Sequence, residues 1–295
     1  MMVAAIRTNH KRRRQTYPMP QLRSLIILVA AEIASSRNTV SSFVATPRPL
    51  LLAPSLATYS TTKPPECTVH DVADLNCISQ QLGYLPTNFV GVSARNADRV
   101  PVAIQTYPLF GGAPRRQIKT SASMPNTQLR TLGTPFPTLY WLTCPIISKA
   151  IANLEGQGHV QRIQQIVREC DDLTQRLWTC HAEYAENRWD SLTQIDRSVL
   201  ENSDESSRIR DMLQYSGIAG TNVTRVVVRT ARENDGNPRR NEPASGWQPS
   251  IKCLHTHYAH FRSTTFSNQV KKPTINPVGE MVEELLRLEF PEVLL

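Results

Sequence analysis

The stretch VQRIQQIVRECDDLTQRLWTCHAEYAENRW, Val160 to Trp189, decides the fold class. Apolar side chains recur at Ile163, Ile166, Val167 and Cys170, then at Leu173, Leu177, Cys180 and Tyr184. Trp178, Ala185 and Trp189 lie beside that stripe. Steps of three and four residues are the period of a helix with one buried face. The spacing predicts one long helix, or two joined near Asp171.

Working outward, Pro145 suits a first helical turn, where its missing N–H costs nothing. The helix it starts carries Ile147, Ala150, Ile151 and Leu154 and stops near Gly156 or Gly158. The segment before it, GTPFPTLYWLTCP (133–145), is densely apolar but holds three prolines, which exclude a regular helix. Further upstream, NFVGVSARN and VPVAIQTYP read as two strands joined around Ala97–Arg99, and 72–83 reads as a short helix ended by Gly83 and Pro86. Downstream, SLTQIDRSVL and ESSRIRDML predict short helices, and TNVTRVVVRTA a strand. Lys252–Thr264 predicts another helix, and a turn at Asn276–Gly279 leads to a last one from Glu280 to about Leu288. The expected class is α+β: a predominantly helical single domain with a small β element. It spans 66–295, with loop insertions near 112–131 and 231–247.

The net charge of +8 is unevenly placed. Residues 1–65 hold nine basic groups and one acid, so the leader carries all of the excess and the body is balanced. A neutral body lacks the general phosphate attraction of a nucleic-acid binder. The six cysteines are scattered without a CxxC pair, which reads as mostly reduced thiols.

The leader reads as an address. KRRR at 11–14 precedes Met19 and Arg23, then the apolar run Leu25–Ala31, broken by Glu32 and too short for a bilayer span. From Phe43 to Lys63 the chain is rich in Ser, Thr and Pro, with bases and no acid. The junction VSSFVATP, centred on Phe43, resembles the bipartite presequence of algae with secondary plastids, with departures at Val44 and Thr46. The expected location is a plastid, with mitochondrion or cytoplasm as alternatives, and the mature chain is expected to have no integral membrane span.

KCLHTHYAH, Lys252 to His260, concentrates one cysteine and three of the chain's seven histidines. On a continuous helix, Cys253, His257 and His260 share a face at i, i+4 and i+7, while His255 lies off it. Thiolate and imidazole suit zinc, with Cys144 as the fourth donor. The alternatives are a metal-free pocket in which histidine carries protons, a thiol nucleophile at Cys144 or Cys253, and simple helix packing. Glu155 is a further candidate acid.

GTPFPTLYWLTCP, KAIANLEGQGHV, IKCLHTHYAHF and INPVG together resemble a bacterial family known as domain of unknown function 501 (DUF501). QLGYLP (81–86) and AIQTYPL resemble its opening and its second strand, so the likeness covers roughly 78–285. Position by position the resemblance points to Gly133, Pro135, Phe136, Pro137, Thr138, Trp141, Cys144 and Pro145. It also points to Glu155, Cys253, Leu254, His255, His260, Asn276, Pro277 and Gly279. His257 is less fixed in the family, and Arg95-Asn96 stands where relatives carry Arg-Cys.

The resemblance implies a fold and a shared pocket, without naming a reaction. The reading that follows is a small-ligand pocket or enzyme with Cys144, Glu155, His255 and His260 as catalytic candidates. The metal candidates are Cys144, Cys253, His257 and His260. Trp141, Asn276 and Gly279 support them. A non-catalytic interaction or structural protein is the alternative.

Overall fold

The computed structural model describes residues 71–110, 134–221, 223, 247–265 and 273–294. The leader, both insertions and most of the expected TNVTRVVVRTA strand lie outside the described residues. Among the described residues, eight α-helices and a three-stranded sheet make up an α+β domain, in the order α1 (Val72–Leu82), β1 (Phe89–Arg95), β2 (Pro101–Thr106), β3 (Tyr140–Leu142), α2 (Pro145–Gly156), α3 (His159–Glu169), α4 (Asp171–Asp190), α5 (Gln194–Asn202), α6 (Ser207–Tyr215), α7 (Leu254–Thr265) and α8 (Pro277–Glu289). Among the described residues no helix is long and apolar enough to cross a membrane.

β1 and β2 form the expected antiparallel hairpin, and Arg99 turns the chain with a left-handed φ of 66°. The sequence reading missed β3. It adds antiparallel to β2, pairing Ile104 with Trp141. The prolines that exclude a helix in 133–145 flank this strand and leave its ladder free.

The Val160–Trp189 stripe resolves into two helices. Cys170, extended at φ −117° and ψ 110°, separates α3 from α4, and Asp171 and Asp172 favour the new N-terminus. The long α4 buries Leu173, Leu177, Trp178, Cys180, Tyr184 and Trp189. It also buries Arg188, which donates to the carbonyls of Leu213, Ser216 and Pro137. That guanidinium ties α4 to the end of α6 and to the segment leading into β3. The main core joins the sheet, α2, α3, α4, α7 and α8. All five described cysteines are free thiols.

α7 lies across the sheet and packs on α8. Gly279 makes the approach possible: a Cβ there would stand 2.3 Å from Phe261 Cβ and 2.7 Å from the His257 carbonyl oxygen. α8 starts earlier than expected, at Pro277, because Asn276 caps it by accepting the Val278 and Gly279 N–H groups.

Candidate functional site

α7 begins at Leu254, so Cys253 precedes the helix instead of lying on it. The continuous-helix expectation for Lys252–Thr264 fails there. Cys253 shares no donor set with His257 and His260 among the described residues and meets His255 instead, with Sγ 3.9 Å from Nδ1. Thr256, in the first turn of α7, also favours the charged form of the sulfur. The thiol therefore sits at the positive end of a twelve-residue helix.

Glu155 arrives from α2. Its Oε1 accepts the Leu254 N–H at 2.7 Å and lies 3.3 Å from His255 Nδ1. The other ring nitrogen of His255, Nε2, is 3.0 Å from the Ser148 carbonyl. A carbonyl only accepts, so Nε2 carries a hydrogen and Nδ1 faces the thiol and the carboxylate. Ser148 and Glu155 are seven residues apart, two turns of α2, which puts both on one side of the helix.

The electrostatics follow. Burial pulls the His255 imidazole toward neutrality, but Cys253, the Ser148 carbonyl and Glu155 together carry it up to about 9. Burial also works against the Cys253 thiolate. His255 and Thr256 outweigh it and hold the thiol below its ordinary range, against an opposing push from Glu155. A thiolate beside an imidazolium is the arrangement these shifts describe.

A cavity of about 330 Å³ opens onto this pair. Cys253, His255, Thr256 and Ser148 form its polar side, and Phe136, Thr138, Tyr140, Trp141 and Leu142 its wall. Phe136 packs on Trp141 with ring centroids 5.5 Å apart, and Tyr84 supports Trp141 at 6.3 Å. The segment before α2 and the histidine-bearing helix thus meet across one cavity.

The expected sets are only partly brought together. Of Cys144, Glu155, His255 and His260, the structure joins Glu155 with His255. Of Cys144, Cys253, His257 and His260, it gathers no four around a point. Among the described residues, one set of three or more such groups brings its donor atoms within 4.8 Å of one another: Glu155, Cys253 and His255. Cys144 is the residue before α2, half-buried, with no side-chain capping bond. His257 and His260 are buried and face the core. The Nδ1 atoms of both lie 3.2 Å from Asn276 Nδ2. His260 sits between the Tyr140 and Tyr184 rings.

His181 completes this inner group, with its ring 5.7 Å from that of His257 and its Nδ1 accepting the Ile218 N–H. Burial holds all three imidazoles neutral: His257 falls to about 4, His260 to about 3, and His181 well below its ordinary value.

The sequence reading missed Ser148, Thr256 and His181. The Cys-x-His spacing held the signal for the outer cluster. A residue just ahead of a helix and one in its first turn face each other, whereas i, i+4 pairs require both to be helical. His181 gave no such signal, being one polar residue on a long amphipathic helix.

No curated protein matches this chain, and no solved structure matches it. The family described as "Protein of unknown function (DUF501)" matches residues 92–284, from β1 into α8 and across both halves of the Glu155–Cys253–His255 cluster. The chain belongs to the DUF501 family.

Proposed function

We propose that the aromatic-walled cavity binds a small uncharged ligand and that Cys253 attacks it as a thiolate. The observation that carries this reading is the placement of Cys253 Sγ, 3.9 Å from His255 Nδ1 at the start of α7 and on the cavity surface. The described lining residues include no lysine or arginine, and the His255 imidazolium is matched by the Cys253 thiolate and Glu155, which favours a neutral ligand over a phosphorylated or carboxylated one. His255 would stabilise the thiolate and give its proton to a leaving group. Glu155 would hold His255 in place.

Acyl transfer to water, a hydrolysis, fits best. The thiolate forms a thioester with an acyl carbon, the leaving group departs with the His255 proton, and water then cleaves the thioester with His255 as base. The test is a small activated ester: peptide mapping should find the acyl group on Cys253, and Cys253→Ser should abolish it. Acylation spread over the other cysteines contradicts the proposal.

A structural reading has one observation in its favour. Glu155 caps α7 through the Leu254 N–H, so the cluster also ties α2 to α7. If Cys253→Ser leaves every activity unchanged while Glu155→Gln lowers stability, the structural reading stands instead.

The leader is proposed to direct the chain to a plastid. Residues 1–65 fused to a fluorescent protein test this, and mitochondrial or cytoplasmic fluorescence contradicts it.

A further inference from the structure

We infer that Glu155, Cys253 and His255 also take a zinc ion, and that zinc silences the Cys253 thiol. The inference rests on the reading of Cys253 as the reactive group. Three donor atoms of different kinds, a carboxylate oxygen, a thiol sulfur and an imidazole nitrogen, lie within 4.8 Å of one another. That mixture suits zinc better than magnesium or calcium, which take oxygen.

The orientation of His255 supports the site. Its Nε2–H is tied to the Ser148 carbonyl, which leaves Nδ1 as the nitrogen turned toward Sγ and Oε1. Imidazoles that ligate metals are commonly held in this way, with the second N–H on a carbonyl or carboxylate.

The spacing can be checked against tetrahedral zinc. Ordinary bond lengths imply roughly 3.3 Å between a ligating nitrogen and oxygen, and roughly 3.6 Å between a ligating sulfur and nitrogen. His255 Nδ1 and Glu155 Oε1 are 3.3 Å apart, and Cys253 Sγ and His255 Nδ1 are 3.9 Å apart. Nitrogen and oxygen are already in place, and the sulfur has a few tenths of an ångström to close toward the nitrogen while lying within 4.8 Å of the carboxylate. A cavity water would supply the fourth ligand.

Two features limit the affinity: the sulfur must move, and Glu155 Oε1 already serves the Leu254 N–H at 2.7 Å. The ion is therefore exchangeable, which suits control better than permanent structure. Zinc takes the place of the proton between Nδ1, Sγ and Oε1. While the sulfur lone pair is bound to the ion, it does not attack the ligand.

The experiment uses the full chain, stripped of metal with a chelator. Iodoacetamide alkylation of Cys253 is followed by peptide mass spectrometry at fixed pH in zinc buffers. At free zinc about ten times the Kd, alkylation should slow about tenfold by mass action. Chelator should restore the rate, and magnesium should have no effect.

Cobalt(II) should give a thiolate-to-metal charge-transfer band that Cys253→Ser removes. In Glu155→Gln the ratio of zinc-free to zinc-bound rates should fall toward one, whatever its zinc-free rate. Full-rate alkylation in saturating zinc, or no cobalt band, overturns the inference and leaves the reading of Cys253 intact. A Cys253 that is inert without zinc overturns that reading, and the silencing with it.

Discussion

Asn276 joins the start of α8 to the ring of His257. The carboxamide oxygen of Asn276 accepts the Val278 and Gly279 N–H groups at 3.1 and 3.2 Å. Its nitrogen is therefore the donor that faces His257 Nδ1 at 3.2 Å. The same nitrogen faces His260 Nδ1 at 3.2 Å. One side chain thus caps α8 and reaches the Nδ1 atoms of two buried imidazoles of α7, while His257 Nε2 is buried without a hydrogen-bond partner.

Asn276→Ala removes both roles. Loss of a helix cap costs about 0.5–2 kcal/mol, and leaving buried acceptors unpaired costs about 1–3 kcal/mol more. Urea unfolding should show a loss on the order of 2–4 kcal/mol with an unchanged m value. A loss under half a kcal/mol contradicts the assigned role.

Gly279→Ala tests the close approach of α8 to α7. The added methyl would stand 2.3 Å from Phe261 Cβ and 2.7 Å from a backbone oxygen, where nothing flexible can yield. Overpacking of this kind costs about 1–3 kcal/mol, and the thermal midpoint should fall accordingly. An unchanged midpoint would mean the helices are farther apart than described.

The inner histidines make the fold acid-sensitive. Burial, assisted by their mutual proximity and by Lys252, depresses His181, and burial lowers His257 and His260 to about 4 and 3. In the unfolded chain they titrate near 6.5. The unfolded state therefore binds more protons below pH 6.5, and stability falls as pH drops toward the folded values. Between pH 7 and pH 5 the loss is about 2 kcal/mol for each of His257 and His260, and His181 acts in the same direction.

His255 has the opposite sign: raised to about 9, its contribution is present below pH 6.5 and fades as pH rises through 9. Denaturant midpoints measured across pH should peak near neutrality. A flat profile from pH 7 to pH 5 contradicts the buried neutral trio.

Trp141 should govern ligand choice more than thiol chemistry. It packs against a tilted Phe136 in the cavity wall and, edge-on, against Tyr84, and such aromatic contacts contribute about 0.5–1.5 kcal/mol. Trp141→Ala should slow Cys253 modification by an aromatic electrophile about three- to tenfold. The rate with iodoacetamide, too small to use the wall, should change far less. Equal slowing of both reagents contradicts the cavity as the binding surface.

Much of this was legible in the sequence. The stripe from Ile163 to Tyr184 located the two central helices, because burial of one face writes its period into the chain. The hairpin was legible from Val92, Val102 and Ile104. β3 was not, because three residues are too few to show a period of two. The site was half legible. Glu155, Cys253 and His255 were all singled out, but the wheel that joined Cys253 to His257 assumed a helix starting before Leu254. Helix starts are set by which side chain caps the free N–H groups. Here the cap is Glu155 from α2, about one hundred residues away in sequence, and no local pattern reveals it.

The account depends most on the Cys253–His255 pair. Its direct test is the pH dependence of Cys253 alkylation in metal-free protein, compared with His255→Gln. The account predicts a midpoint below the ordinary thiol range for the native chain, and a clear upward shift when the imidazole is removed. Identical midpoints in the two proteins, at the value of a free cysteine, would contradict it.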